Sequence, residues 1–200
     1  MASQDFKMKN HTKIFFENCI KTTKSLSTES IEKAISLLIS LKKRKGRLFI
    51  LGVGGSAGHA SHAVNDFRKL CDIESYSASD NLSELTARVN DEGWDTSYVK
   101  WLKTSQLSKK DILLFFSVGG GDLKKRISVN LINCHKFAMK VGSSTISITG
   151  KKGYLYKKSQ CSILINTNSQ LITPITEGVT ALIWHCFVSD KRLQSNKTTW

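Results

Sequence analysis

The densest chemistry in the chain lies in residues 48–67, LFILGVGGSAGHASHAVNDF. An apolar run leads into Gly52, Gly54, Gly55 and Ser56, then into a helical stretch with His59, His62 and Asp66. Glycines after a strand let the backbone turn tightly and approach a ligand, and the first amides of the next helix point outward. Gly54, Gly55 and Ser56 therefore read as one wall of an anion site. The spacing is G-x-G-G-x-x-G rather than G-x-G-x-x-G, and the second strand is short and followed by Asp80. A dinucleotide cofactor is not expected from that pattern. His62 and Asp66 are four residues apart and share a helix face. An imidazole and a carboxylate at that spacing can hold one metal ion, or simply hydrogen-bond to each other.

A second glycine turn, SVGGGD at 117–122, follows another apolar run. Ser117, Gly119, Gly120 and Gly121 read as a second wall of the anion site, with Asp122 at the N-cap of a following helix. Near the end, Glu177 and His185 stand eight residues apart, roughly on one helix face, and His185 sits in the apolar run ALIWHCFV. Alone, a histidine in such a run is an ordinary core residue. It becomes a site residue only if the fold carries it to partners.

These residues need a scaffold, and the hydrophobic pattern outlines one. Residues 10–24 and 28–45 read as helices, the second with Ile31, Ala34, Ile35, Leu38 and Leu41 at spacings of three and four. Ser27 or Thr28 can cap it, and Lys42, Lys43, Arg44 and Gly46 suit its end. Apolar runs at 47–53, 112–118, 145–150 and 161–166 read as strands, with 76–79 a weaker one. Helical stretches fall near 56–70, 81–90, 96–106, 122–140 and 173–189, the last opening near Pro174. The alternation predicts an α/β fold, a doubly wound five-stranded parallel sheet flanked by helices and flavodoxin-like. One domain is expected over 1–200, with a helical hairpin at 1–46 and an α/β core at 47–192. In such sheets ligands bind at the carboxyl ends of strands, near the point where strand order reverses.

The 200 residues, 40% of them hydrophobic, suit one well-buried core. No apolar run is read as approaching the roughly 18 residues of a bilayer span. The start, MASQDFKMKNHTK, lacks the apolar stretch of a secretory signal, so a cytoplasmic protein is expected. The five cysteines are widely spaced without a C-x-x-C pair, which predicts reduced, mostly buried thiols. The net charge of +14 is spread along the chain without a nucleic-acid-binding signature. It suits attraction of small anionic substrates better than nucleic acid.

Together these segments resemble the sugar isomerase (SIS) domain family, and within it the phosphoheptose isomerases. The resemblance runs over nearly the whole chain: the N-terminal hairpin, GVGGSAGHASH followed by Asp66, SDNLSELTARVNDEGW at 79–94, SVGGGD, TISITGKKG and TEGVTALIWH. The family pattern is G-N-G-G-S, H-x-x-x-E, N-D-x-G-[FW], S-T-S-G-N-S, and a late glutamine with a histidine eight residues on. The resemblance implies a homotetramer that interconverts sedoheptulose 7-phosphate and D-glycero-D-manno-heptose 7-phosphate for bacterial surface polysaccharide. It implies zinc (Zn2+) held by His62, Asp66, Glu177 and His185, and sugar-phosphate contacts from Asn90, Asp91 and the two glycine turns. Aldose–ketose exchange moves a proton between adjacent carbons through an enediol, which casts Asp66 as base and His185 as acid. The chain also departs from the pattern. Asp66 replaces a glutamate, Glu177 a glutamine and Val53 an asparagine, while Val118, Gly119 and Asp122 replace residues of the hydroxyl-rich loop. Those departures raise a second expectation, a non-catalytic SIS module that binds a sugar phosphate or a protein partner.

Overall fold

Leu48, Phe49, Ile50 and Leu51 are all fully buried, so the strand they form, β1 (Leu48–Leu51), needs cover on both faces. The computed structural model supplies that cover and describes residues 2–197. Met1 and residues 198–200, part of the expected 1–200 domain, lie outside the described residues. β1 is joined by β2 (Ser75–Tyr76), β3 (Ile112–Ser117), β4 (Ser144–Thr149) and β5 (Cys161–Leu164). All pairings are parallel, in the order β2-β1-β3-β4-β5. Strand order reverses between β1 and β3, and both glycine turns follow those two strands, so the switch point carries both.

Side chains alternate across the strands and divide the interior in two. Ile50, Leu114, Phe116 and Ile148 face one core, shared with α2 (Thr28–Lys43), α3 (Gly55–Cys71) and α8 (Ile172–Ser189). Phe49, Leu51, Leu113 and Phe115 face the other, shared with α5 (Trp94–Thr104) and α6 (Val129–Val141). Each large side chain so buried contributes about 1.5–3 kcal/mol. α1 (Ala2–Lys24) packs on α8, and α2 packs on β5. α4 (Leu82–Glu92) buries none of its residues and leans on α5.

Several local readings change. The first helix begins at Ala2 rather than residue 10. Of the two candidate caps on α2, Ser27 is the one used, its hydroxyl accepting from the Ser30 amide at 3.1 Å. The second strand is only Ser75–Tyr76, because Asp80 accepts from the Ser77 amide and turns the chain there. The helix expected over 122–140 begins at Val129. Residues 122–127 form a tight turn instead, closed by two hydrogen bonds between Asp122 and Ile127, each 2.9 Å. Asp122 therefore caps a turn, not a helix. A short helix not anticipated, α7 (Tyr154–Lys158), follows β4. Ser169–Ser189 is, contrary to expectation, long and apolar enough by composition to cross a bilayer. Here its apolar side, including Ile175, Val179, Ile183 and Phe187, is the core itself. Cys71, Cys134 and Cys161 are buried, whereas Cys186 is exposed.

At the amino end of the sheet one ion pair sets the register of β1 on β3. Asp111 accepts from the Arg47 amide at 2.9 Å and from its guanidinium at 2.9 and 3.3 Å. Ser108 adds amide and hydroxyl donors at 2.8 and 3.0 Å. Burial alone would push the Asp111 carboxyl up, but the hydrogen bonds from Arg47 and Ser108 outweigh it and hold it below the ordinary range. Removing one partner of such a pair leaves a buried charge, so Asp111→Asn should cost about 3 kcal/mol at neutral pH. The folded carboxyl is depressed, so its contribution is present above the unfolded value and lost as pH falls through the folded one. Urea unfolding should therefore show the gap between wild type and Asp111→Asn closing below about pH 4.

Candidate active site

α3 and α8 lie side by side. Ala60 and Ala63 on α3 are fully buried in the core that the two helices share. His62 and Asp66 fall on the rim of that contact, and α8 brings His185 to the same place. The Asp66 Oδ2 atom lies 3.8 Å from His62 Nε2 and 3.7 Å from His185 Nε2. One donor atom from each residue lies within 4.8 Å of the others. The two histidine side chains are about half exposed, while that of Asp66 is 12% exposed. Trp184 is fully buried beneath them, its ring centroid 4.7 Å from His62 and 3.5 Å from His185.

The contacts at 3.7 and 3.8 Å are too long for hydrogen bonds. They suit donors spaced around a shared centre. Two of the three groups, His185 and Asp66, are also held by their other heteroatom. His185 Nδ1 lies 2.8 Å from the Ala181 carbonyl oxygen. Only a protonated Nδ1 can donate there, which leaves Nε2 with its lone pair toward the cluster. Asn65 donates to Asp66 Oδ1 at 2.9 Å, leaving Oδ2 for the cluster. Ligating groups steered in this way by outer partners are the usual construction of a metal site. The three donors therefore fit a divalent ion with an open position. They open onto a groove of about 620 Å³ walled by Leu70, Leu182, Cys186 and Val188, with Gln194 at its edge.

Glu177 is not brought to the other three. Two turns up α8, its carboxylate lies over Gly55 at the start of α3; a methyl on Gly55 would sit 2.5 Å from Oε1. α3 has no side-chain cap and no acidic residue in its first turn, so Glu177 supplies negative charge at that helix end from elsewhere in the chain. Gly54 precedes it with φ +63° and open space around its Cα. Ser56 is buried in the same turn. Tyr98, which the sequence reading missed, donates to the Gly52 carbonyl at 3.1 Å and braces the turn from below. Burial pushes its hydroxyl up to about 12, so the proton stays on.

In the second turn, Ser117 Oγ accepts from the Gly120 amide at 3.1 Å. Asp122 Oδ1 accepts from the amides of Lys124 and Lys125 at 2.9 and 3.1 Å. Three amides of this turn are thus already satisfied and closed to an anion. Gly119 would place a methyl 3.1 Å from Ile127, and Gly120 and Gly121 have φ +69° and +80°. Asn90 and Asp91 sit at the exposed end of α4 and bond to each other at 2.8 Å. No described contact joins them to either turn or to the cluster.

The SIS domain family model matches residues 15–150, which stops short of α8. A phosphoheptose isomerase from Helicobacter pylori (strain P12) is 28% identical over 138 residues, 66% of this chain and 68% of its own length. The lincomycin biosynthesis protein LmbN of Streptomyces lincolnensis is 28% identical over 177 residues, 82% of this chain; the chain spans 62% of that relative's length. Among solved structures, the phosphoheptose isomerase of Neisseria gonorrhoeae shares the fold with a TM-score of 0.78 at 22% identity, over 90% of this chain and 97% of that one.

The two glycines of the first turn should respond differently to a methyl group. On Gly52 it would lie 2.2 Å from the Ser56 carbonyl oxygen, so backbone must move. On Gly55 it meets only the flexible end of Glu177. Gly52→Ala should cost about 2 kcal/mol or more, and Gly55→Ala less than about 1 kcal/mol. Chemical denaturation of the two variants checks the order.

Proposed function

The chain belongs to the SIS domain family, and from that premise we propose that it is a phosphosugar isomerase exchanging aldose and ketose forms. The observation that carries the reading is the cluster itself, a carboxylate between two imidazoles on an open groove. The relatives named phosphoheptose isomerase support it and point to a seven-carbon sugar phosphate. The finer reading is interconversion of sedoheptulose 7-phosphate and D-glycero-D-manno-heptose 7-phosphate, for surface polysaccharide, by a cytoplasmic homotetramer.

In that reading the Asp66 carboxylate takes the carbon-bound proton, and His185 relays protons on the neighbouring oxygens when its Nε2 is not ligating a metal. The Ala181 carbonyl keeps the imidazole in the tautomer this needs. Asn65 fixes the orientation of the carboxylate, which matters because Asp66 is one methylene shorter than the family's glutamate. The apolar groove wall excludes water from one side of the reacting carbons, and Trp184 packs beneath the two imidazoles. Zinc would be held by His62, Asp66 and His185, and when bound would polarise the sugar carbonyl and favour charge on the enediolate oxygens. Glu177, expected as a fourth ligand, would instead attend the first glycine turn beside Gly54, Gly55 and Ser56.

A second reading, a non-catalytic SIS module binding a sugar phosphate or a protein partner, is favoured by one observation. Asp122 occupies amides in the turn where a phosphate would be gripped.

Two measurements separate these readings. Metal analysis should find zinc retained by the wild type and lost in His62→Ala. Zinc-replete protein should convert sedoheptulose 7-phosphate, and His185→Gln should lower kcat about 10²–10⁴-fold. Absence of turnover in the zinc-replete wild type would sink the isomerase reading in favour of the binding module.

A further inference from the structure

We propose that this chain grips the phosphate of its substrate with four exposed lysines, Lys124, Lys125, Lys151 and Lys152, rather than with the amides and hydroxyls of its second glycine turn. The inference rests on the sugar-phosphate reading above. It starts from the filled turn. Gly120's amide is taken by Ser117 Oγ, and the amides of Lys124 and Lys125 by Asp122. Any phosphate entering that cradle would have to displace a carboxylate that already makes two hydrogen bonds.

The same turn is flanked by positive charge on two sides. On one side its own continuation carries Lys124 and Lys125. On the other lies the segment after β4, stapled to the turn by backbone bonds. The Tyr154 amide donates to Gly121 O at 2.9 Å, and that of Leu155 to Gly120 O at 2.8 Å. The contact is so close that a methyl on Gly120 would lie 2.7 Å from the Lys151 carbonyl oxygen. Lys151 and Lys152 therefore stand beside the turn although they are far from it in sequence. All four lysines are exposed. Among the described residues none of the four has an ion-pair partner, whereas the adjacent Arg126 is committed to Asp95 at 2.7 Å.

This arrangement lies at the carboxyl ends of β3 and β4, on the edge where such sheets bind ligands. The lysines outnumber the single Asp122 carboxylate. Lysine ammonium groups hold phosphate as point charges without demanding a fixed geometry. A solvent-exposed grip of this kind is strongly screened by salt. It also leaves the bound phosphate open to solvent, so it tolerates a substrate that is bulkier at that end.

Equilibrium titration with sedoheptulose 7-phosphate tests this, with unphosphorylated sedoheptulose as the reference probe. Lys151→Ala/Lys152→Ala should weaken binding of the phosphate by about tenfold and flatten its dependence on NaCl, with binding of the free sugar unchanged. Lys109→Ala/Lys110→Ala removes equal charge at the opposite edge of the sheet and should leave the affinity within twofold. Asp122→Ala, which frees two amides and removes the competing carboxylate, should tighten binding and make it less sensitive to salt. Equal weakening by both lysine pairs would overturn the proposal, since net charge alone would then account for binding. So would an unchanged salt dependence in Lys151→Ala/Lys152→Ala, or no binding of the phosphate by the wild type. Binding that behaves as expected without turnover would leave the lysine grip standing and overturn only the isomerase reading.

Discussion

The close packing of α8 against α3 is the constraint from which the rest follows. Ala60, Ala63 and Phe67 of α3 share one buried core with Ile183, Trp184 and Phe187 of α8, and that core holds the contact. Their burial fixes the rotation of both helices, and so fixes which residues come to the rim. On α3 these are His62 and Asp66, and on α8 it is His185. No loop has to hold them, so their spacing is as rigid as the core beneath. Function here borrows its geometry from burial that would be needed for stability anyway.

Negative charge is distributed with similar economy. Each glycine turn at the carboxyl edge of the sheet would, with bare amides, attract an anion. The first turn is answered by Glu177, reaching across from α8. The second is answered by Asp122 from within the turn. The second turn thus satisfies three of its amides internally, while Glu177 answers the first by its charge alone. A ligand arriving at this edge meets a carboxylate at each turn.

Much of this architecture was legible in the residues, and the misses have physical causes. Runs such as ILLFFS stood out because a strand covered on both faces has no polar side to blur it. The helix drawn over 122–140 started too early because Leu123, Ile127 and Leu131 repeat at helical spacing. Leu123 and Ile127 are exposed, and the Asp122 side chain closes a turn that periodicity cannot see. α7 was missed because five residues with two lysines at one end carry no periodic signal. His62 and Asp66 were readable as a pair because four residues make one helical turn. His185 joined them only through tertiary packing, which resemblance anticipated and spacing could not. Glu177 shows the opposite case: a shared helix face with His185 did not become a shared site, since two turns separate them along the axis. Lys151 and Lys152 offered no pattern at all, since their place beside Gly120 comes from the stapling of two loops.

That two-turn separation makes α8 a ruler. Eight residues at helical rise separate the Glu177 and His185 backbone positions by about 12 Å. Helix geometry does not stretch, so the distance is a property of the chain and not of its occupant. The glycine turn under Glu177 and the groove beside His185 are thus two stations on one stiff rod, set before anything binds.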